Sequence, residues 1–290
     1  MHPNSQEQSL RERLESDDIV LAPGVSDALE GVIATRAGAD VIYVSGNAVS
    51  SSVHGGPDIG LTTMTEMVDR VRQISSAVDQ PVISDADDGY GNALSVRRTV
   101  QEFERAGASG IHIEDQDAPK KCGHFAGKEL VETEEMCGKI KAARDARAKE
   151  DFIVIARTDA VAVDGLEEAL ERSRSYIEAG ADMIFVDAPE SEEQLERIGE
   201  ELTDVPLVAN IPYGGKTPLL PASRLEELGF DLMLFAATAQ KAKLQLLEEV
   251  YRHLVETGDE RELTELLATW EDRDEVTGLE TWLELEQRYA

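Results

Sequence analysis

The chain has 290 residues and a net charge of −31, from 59 acidic against 28 basic side chains, with 41% apolar residues. That apolar share can fill a full core, while so acidic a surface repels nucleic acid and anionic membranes and excludes both as partners. The charge fits adaptation to molar salt, where a Debye length of about 3 Å screens self-repulsion.

In chain order, the polar start from Met1 to Asp18 carries no apolar signal core, and no apolar run is long enough to span a bilayer, so a cytoplasmic protein is expected. Eight short runs rich in Val and Ile follow: Ile19–Val25, Asp40–Ser45, Pro81–Asp85, Gly110–Ile113, Phe152–Ala156, Asp182–Val186, Val205–Ala209 and Asp231–Phe235. Near-continuous apolar runs of this kind are buried parallel strands. Helical periods lie between them at Met64–Val78, Leu94–Ala106, Glu134–Lys149, Leu166–Ala179, Glu192–Leu202 and Ala222–Leu228.

The junctions echo one another: Ala37-Gly38-Ala39-Asp40, Ala106-Gly107-Ala108-Ser109, Ala179-Gly180-Ala181-Asp182 and Leu228-Gly229-Phe230-Asp231. Each glycine suits the left-handed residue that ends a helix, with a strand directly after it. Eight successive βα units predict a TIM (β/α)8 barrel, in preference to a doubly wound open sheet, which seldom needs so many regular units. The reading is a single domain over 1–290. A long helix near Gln240–Val255 follows the last strand, and then a C-terminal helical extension over 259–290. Trp270, Trp282 and Leu283 are too apolar for a free tail, so the extension packs either on its own barrel or on a neighbouring subunit.

In such a barrel the active site lies at the C-terminal strand ends, and the unusual polar residues all fall there. Strand two ends at Tyr43, Ser45, Gly46 and Asn47; strand three at Asp85 and Asp87; strand four at His112 and Glu114; strand five at Arg157 and Asp159; strand six at Asp187; strand seven at Asn210. Asp85 and Asp87, two apart, would share a strand face. With Glu114 they form a hard-oxygen set suited to Mg²⁺, with Mn²⁺ as the alternative. Arg157 reads as a bidentate clamp for a substrate carboxylate, or as a partner for Asp187. Cys122 stands between Lys121 and His124 in a glycine-bearing loop; cationic neighbours lower a thiol's pKa and make it reactive. Cys137 falls in a helical pattern, and a disulfide between the two is not expected.

These motifs resemble those of the isocitrate lyase/phosphoenolpyruvate mutase superfamily. The likeness runs through the Tyr43/Ser45-Gly46 turn, Gly56-Pro57-Asp58, Asp85-Ala86-Asp87 with Gly89-Tyr90-Gly91, His112-Ile113-Glu114-Asp115-Gln116, Lys121-Cys122-Gly123-His124, Ala156-Arg157-Thr158-Asp159 and Gly215-Lys216-Thr217-Pro218. The Lys-Cys-Gly-His loop resembles that of the lyase branch. The resemblance implies a Mg²⁺-dependent carbon–carbon lyase that splits a 2-hydroxy di- or tricarboxylate, similar to 2-methylisocitrate or dimethylmalate, into a 2-oxo acid and a dicarboxylate. The alternatives on the same barrel are oxaloacetate decarboxylation and phosphonopyruvate/PEP mutase chemistry.

The resemblance further implies that Ser45, Gly46 and the Asn47 amide hold a substrate carboxylate, and that Asp58, His112, Gly123, Arg157, Asp187 and Asn210 line the pocket. Cys122 is then the acid that protonates the released enediolate, with His124 and Lys121 tuning it, and Tyr43 is the candidate base. The loop carrying Cys122 is expected to close over the substrate. A homo-oligomer is expected too, a dimer of dimers with the eighth helix swapped between subunits. Four departures fall on the specificity side. Pro212 stands two places after Asn210 where the lyases carry threonine, Asn47 replaces a glycine, Lys241 stands where an arginine is expected, and Asp187 is one methylene shorter than the usual glutamate.

Overall fold

The computed structural model describes residues 9–16, 18–121 and 127–290. By internal contacts the chain divides into two units, Met1–Ala239 and Gln240–Ala290. The first is a closed barrel of eight parallel strands in sequential order: β1 (Val20–Val25), β2 (Ile42–Val44), β3 (Val82–Asp85), β4 (Gly110–Glu114), β5 (Ile153–Thr158), β6 (Met183–Val186), β7 (Leu207–Asn210) and β8 (Leu232–Phe235). All eight expected strands are present, with ends shifted by one or two residues.

The helices are α1 (Leu10–Leu14), α2 (Ala28–Arg36), α3 (Gly46–His54), α4 (Met64–Ser75), α5 (Ala93–Ala106), α6 (Thr133–Ala146), α7 (Leu166–Ala179), α8 (Glu192–Glu201), α9 (Ala222–Glu227) and α10 (Thr238–Thr257). The first three escape the sequence reading for physical reasons. α1 is short, α2 has no pronounced apolar stripe, and α3 is a serine-rich segment of low helix propensity. Ser45 begins α3 by accepting the Ala48 amide at 3.3 Å, the usual task of an N-cap hydroxyl. The junction glycines Gly38, Gly107, Gly180 and Gly229 all have φ between 87° and 103°, which lets each helix stop and the next strand begin within a few residues.

Two apolar layers hold the unit together. Inside the barrel pack Ala22, Tyr43, Ile83, Ile153, Ile155, Met183, Phe185, Val208 and Leu234, with Leu10 of α1 in the same cluster. Between barrel and helices lies the larger layer, centred on Val71, Ile74, Val100, Phe103, Ile111, Ile140, Leu170 and Tyr176. Each such aliphatic or aromatic side chain contributes about 1.5–3 kcal/mol by leaving water. The ladder register pairs Asp85 with His112 and Glu114 with Arg157, so the polar strand ends stand in one tier.

The second unit carries most of α10, then α11 (Trp270–Thr277) and α12 (Leu279–Tyr289). Leu244, Tyr251, Val255, Trp270, Trp282 and Leu283 are exposed. No helix among the described residues is long and apolar enough to cross a membrane.

Candidate active site

The strand ends of β2, β3 and β4 build the first half of the site. Asp85 closes β3, and its Oδ1 accepts the Asp87 amide at 3.0 Å. Asp87 is not on the strand, as the two-residue spacing suggested. It sits in the following turn with φ 48°, because the chain reverses there toward α5. Its carboxylate instead meets Lys120, whose Nζ lies 2.6 Å from both Asp87 Oδ1 and Asp58 Oδ1. Burial tends to lower the Lys120 pKa, but Asp87, Asp85, Glu114 and Asp58 outweigh it and hold the ammonium well above its ordinary value. Burial pushes Asp87 up, and Asp85 and Asp58 add to this against the pull of Lys120, leaving it at about 7. For Asp85 the attraction of His112, Lys120 and Arg157 exceeds the burial cost and lowers the pKa.

Gly46, at the start of α3, packs directly on Asp85: a Cβ there would stand 2.4 Å from its Oδ2. The first amides of α3 have no carbonyl one turn earlier to bond, so this helix start faces the carboxylate cluster with donors and a positive dipole end.

Tyr43 and His112 form a buried pair, with the hydroxyl 2.8 Å from Nε2 and the rings stacked. Burial drives the Tyr43 pKa well above its usual value, and the Asp85 charge adds to this. Burial also lowers His112 to about 4 against the pull of Asp85. At neutral pH, therefore, a neutral phenol faces a neutral imidazole. His112 Nδ1 lies 3.7 Å from Asp85 Oδ1 and has no hydrogen-bond partner, so a proton on Nδ1 with Nε2 accepting from Tyr43 suits both neighbours. A raised phenol pKa opposes the tyrosinate that Tyr43 would have to become as a free base.

The ends of β4 to β7 build the second half around Arg157, whose fork does not point freely at the mouth. Nε and Nη2 donate to Asp159 at 2.9 and 3.0 Å. The outer edge looks toward Glu114 and Asp187, with Nη1 3.3 Å from Glu114 Oε2 and Nη2 3.3 Å from Asp187 Oδ2. The last approach lies within ion-pair range but outside hydrogen-bond geometry, since Asp187 Oδ2 has no such partner. The structure therefore shows the partner reading of Arg157, an ion pair with Asp187, together with approaches to Asp159 and Glu114. Asp159 also takes Lys128 Nζ at 2.6 Å, and the two cations overcome its burial and hold it far below the ordinary carboxylate range. Burial raises Glu114 well above its usual value despite Arg157. Asn210, at the end of β7, keeps an unpartnered buried Oδ1.

The expected residues Tyr43, Ser45, Gly46, Asp58, Asp85, Asp87, His112, Glu114, Arg157 and Asp187 therefore share one barrel mouth, with Asn47 in the first turn of α3. Cys122, Gly123 and His124 lie outside the described residues; Lys121 is held by Gln116, whose side chain bonds its backbone amide and carbonyl at 2.8 Å each. Lys120 and Lys128 were absent from the expected set of site side chains, and Asp159 was named at the end of strand five without a role. The signal for Lys120 and Lys128 was their position flanking the Cys122 loop, which marked the loop but not its anchors. Asp87, Tyr90 and Ala188 are the non-glycine residues with positive φ among those described, and all three follow C-terminal strand ends, where backbone strain tends to gather at functional sites.

The donor set can be tested for a metal. No group of three His, Cys, Asp or Glu side chains converges as a ligand cluster among the described residues, so the expected Asp85, Asp87 and Glu114 shell is not closed as placed: Asp87 turns to Lys120 and Glu114 to Arg157. The chemistry of the set nonetheless fits a hard divalent cation. Asp58, Asp85, Asp87 and Glu114 are four buried carboxylates around the Lys120 ammonium, and Glu114 Oε1 has no donor. Mg²⁺ keeps several waters and needs only one or two carboxylates.

The family described as phosphoenolpyruvate phosphomutase matches residues 10–255. The 2,3-dimethylmalate lyase of Eubacterium barkeri is 43% identical over 281 residues, covering 97% of each chain. The 2-methylisocitrate lyase of Aeropyrum pernix is 43% identical over 260 residues, covering 90% of this chain and 83% of that one. Among solved structures, oxaloacetate acetylhydrolase in complex with 3,3-difluorooxalacetate superimposes with a TM-score of 0.92 at 31% identity, covering 97% and 96% of the two chains. An eight-stranded barrel, the full motif series and relatives that align almost end to end lead to one conclusion: the chain belongs to the phosphoenolpyruvate mutase/isocitrate lyase superfamily of enzymes.

Proposed function

We propose that the chain is a Mg²⁺-dependent carbon–carbon lyase that cleaves a 2-hydroxy di- or tricarboxylate, similar to 2-methylisocitrate or 2,3-dimethylmalate, into a 2-oxo acid and a dicarboxylate. The observation that carries this reading is the facing of two unlike halves across one mouth. A buried carboxylate cluster stands at β3–β4, and an arginine at β5 turns its outer donor edge toward Glu114 and Asp187. The first suits a cation and the second an anionic substrate. The 43% identities to a dimethylmalate lyase and a methylisocitrate lyase point the same way.

Asp85 and Asp87 would hold the ion, with Glu114 beside them. Bound there, Mg²⁺ supplies Lewis-acid polarisation of the substrate's oxygens. The chain's own residues do the rest. The first turn of α3, with Ser45, Gly46 and Asn47, receives one carboxylate through backbone donors. The outer edge of Arg157, with Asn210 nearby, receives another. Tyr43 accepts the substrate's hydroxyl proton while passing its own to His112 Nε2, which lies 2.8 Å away. This relay avoids a free tyrosinate. As the carbon–carbon bond breaks, its electron pair passes into the departing enediolate, and Cys122, tuned by Lys121 and His124, protonates that carbon.

The protein acts in the cytoplasm, without nucleic acid or membrane partners, and as a homo-oligomer. An apolar groove of about 410 Å³ lined by Leu21, Pro23, Ile33, Ala34, Phe235 and Ala239 lies on the barrel unit. We take it to be covered by α10 of a second copy, which offers Leu244, Leu247 and Tyr251. A monomer by light scattering would sink that assembly. The acidic surface is a salt adaptation, so the melting temperature should rise between low salt and molar KCl.

The deciding assay is a substrate panel with Mg²⁺ at high salt: isocitrate, 2-methylisocitrate, 2,3-dimethylmalate, oxaloacetate and phosphonopyruvate. Cleavage of a 2-hydroxy acid supports the lyase. Turnover of oxaloacetate or phosphonopyruvate alone would replace it with the alternative chemistry on the same barrel.

A further inference from the structure

Just past β4, behind the mouth, Asp115 is fully buried and touches three consecutive residues of the neighbouring strand end in three different ways. Its amide donates to the Arg157 carbonyl at 3.2 Å. Its Oδ2 accepts the Thr158 hydroxyl at 2.7 Å, and its Oδ1 accepts the Asp159 amide at 2.9 Å. From behind, Tyr176 of α7 donates its hydroxyl to Oδ2 at 2.8 Å, and Arg172 Nη1 stands 3.4 Å from the same oxygen. Arg172 is itself tied to the Val131 carbonyl at 2.9 Å.

The place of Asp159 matters because β5 ends at Thr158, so no ladder bond of that strand fixes the next residue. Asp159 is the carboxylate that grips Nε and Nη2 of Arg157 and so decides which edge of the guanidinium faces Glu114 and Asp187. Arg157 has several rotatable bonds, and its two hydrogen bonds to Asp159 are the directional contacts that add to its ion-pair approaches and its seat over the Phe185 ring. Misplacing a binding group by about 1 Å can cost about 10²-fold.

We propose that Asp115 is a positioning residue for substrate-carboxylate recognition: seated by Tyr176 and Arg172 of α7, it fixes Asp159 and through it the edge of Arg157 that faces Glu114 and Asp187. The inference rests on the reading of Arg157 as a carboxylate contact. It assigns α7, on the outer ring of the barrel, a part in substrate binding.

The test is a double-mutant cycle on the full chain, read by calorimetric binding of oxalate in the presence of Mg²⁺ and, separately, of Mg²⁺ alone. Oxalate offers a carboxylate pair to the mouth and requires no turnover. Asp115→Asn keeps the shape but sets an amide against Arg172. It should weaken oxalate by about 10–100-fold, the range seen when a partner that orients a ligand is removed, and leave Mg²⁺ affinity at the wild-type value. In an Arg157→Lys background, where no fork remains to be aimed, the same change should have almost no further effect. Equal weakening in both backgrounds, or parallel loss of oxalate and Mg²⁺ affinity, would show a general structural pin and overturn the proposal. So would wild-type oxalate binding in Asp115→Asn. If that variant does not fold, Tyr176→Phe and Thr158→Val each remove one hydroxyl at nearly constant volume and are read in the same cycle. A wild type that binds oxalate but cleaves none of the substrate panel refutes the lyase reading alone. A wild type that binds no oxalate removes both.

Discussion

Gly46 and Asp85 approach so closely that a Cβ on Gly46 would stand 2.4 Å from Asp85 Oδ2 and 2.9 Å from its Cγ. The start of α3 and the end of β3 therefore constrain each other, and the first amides of α3 are set against the carboxylate cluster by contact.

Gly46→Ala should separate stability from activity. Alanine's better helix propensity, weaker at this first helical position than in a helix interior, offsets only part of the cost of displacing the buried Asp85 carboxylate. The melting temperature should therefore fall slightly while the fold is kept. The methyl must displace the Asp85 carboxylate, and turnover should fall by about 10²-fold. Mg²⁺ titration by calorimetry should show weaker binding. Wild-type affinity and rate in a folded Gly46→Ala protein would remove the contact from the account of the site.

Asp87→Asn keeps the side chain's shape and its place beside Lys120 but removes a charge from the cluster. Turnover and its Mg²⁺ dependence should be lost while circular dichroism stays that of the wild type. Full Mg²⁺-dependent activity would remove Asp87 as a metal ligand.

The pH prediction follows from His112, lowered from 6.5 to about 4 by burial. In the unfolded chain the imidazole takes up a proton near pH 6.5, and in the folded chain only near 4. Between these values the unfolded state binds the extra proton, so stability present above pH 6.5 is lost as the pH falls toward 4, at up to about 1.4 kcal/mol per unit. Urea unfolding at pH 7 and pH 5 should show a smaller loss in His112→Gln than in the wild type, and equal losses would contradict the buried neutral imidazole.

In the proposed lyase Cys122 is the acid, and it lies outside the described residues, so its test is chemical. Cys122→Ser should reduce cleavage by about 10²–10⁴-fold, the worth of a positioned acid, with substrate binding kept. Cys137→Ser should be neutral. That thiol is half-buried on α6, 3.5 Å from the Ser175 carbonyl, and burial pushes its pKa up. Alkylation that favours Cys137 over Cys122 would reverse the assignment.

The barrel was legible because each buried strand is a compact Val/Ile run and each junction glycine repeats at the same point of the unit. The site was legible by strand-end position, which brought Tyr43, Asp85, His112, Glu114, Arg157 and Asp187 together correctly. Spacing arguments did less well where the chain leaves regular structure. Asp87 follows Asp85 at a strand's two-residue interval, yet the backbone turns left-handed between them and hands its carboxylate to Lys120. Nor could the sequence show that Asp159 occupies the fork of Arg157, since the backbone that seats Asp159 is held by Asp115, more than forty residues earlier. Such partners are set by packing between distant segments and leave no periodic trace.

Leu10 of α1 is buried in the same cluster as the barrel's interior side chains, and Arg11 of α1 reaches Asp182, at the entry to β6, at 2.5 Å. The floor of the barrel is thus closed by a short segment that contributes no side chain to the mouth at the opposite end. Repacking around Leu10 offers a place to raise or lower thermal endurance without touching the chemistry, and a natural position from which homologues of this chain could diverge in working temperature while keeping the same substrate.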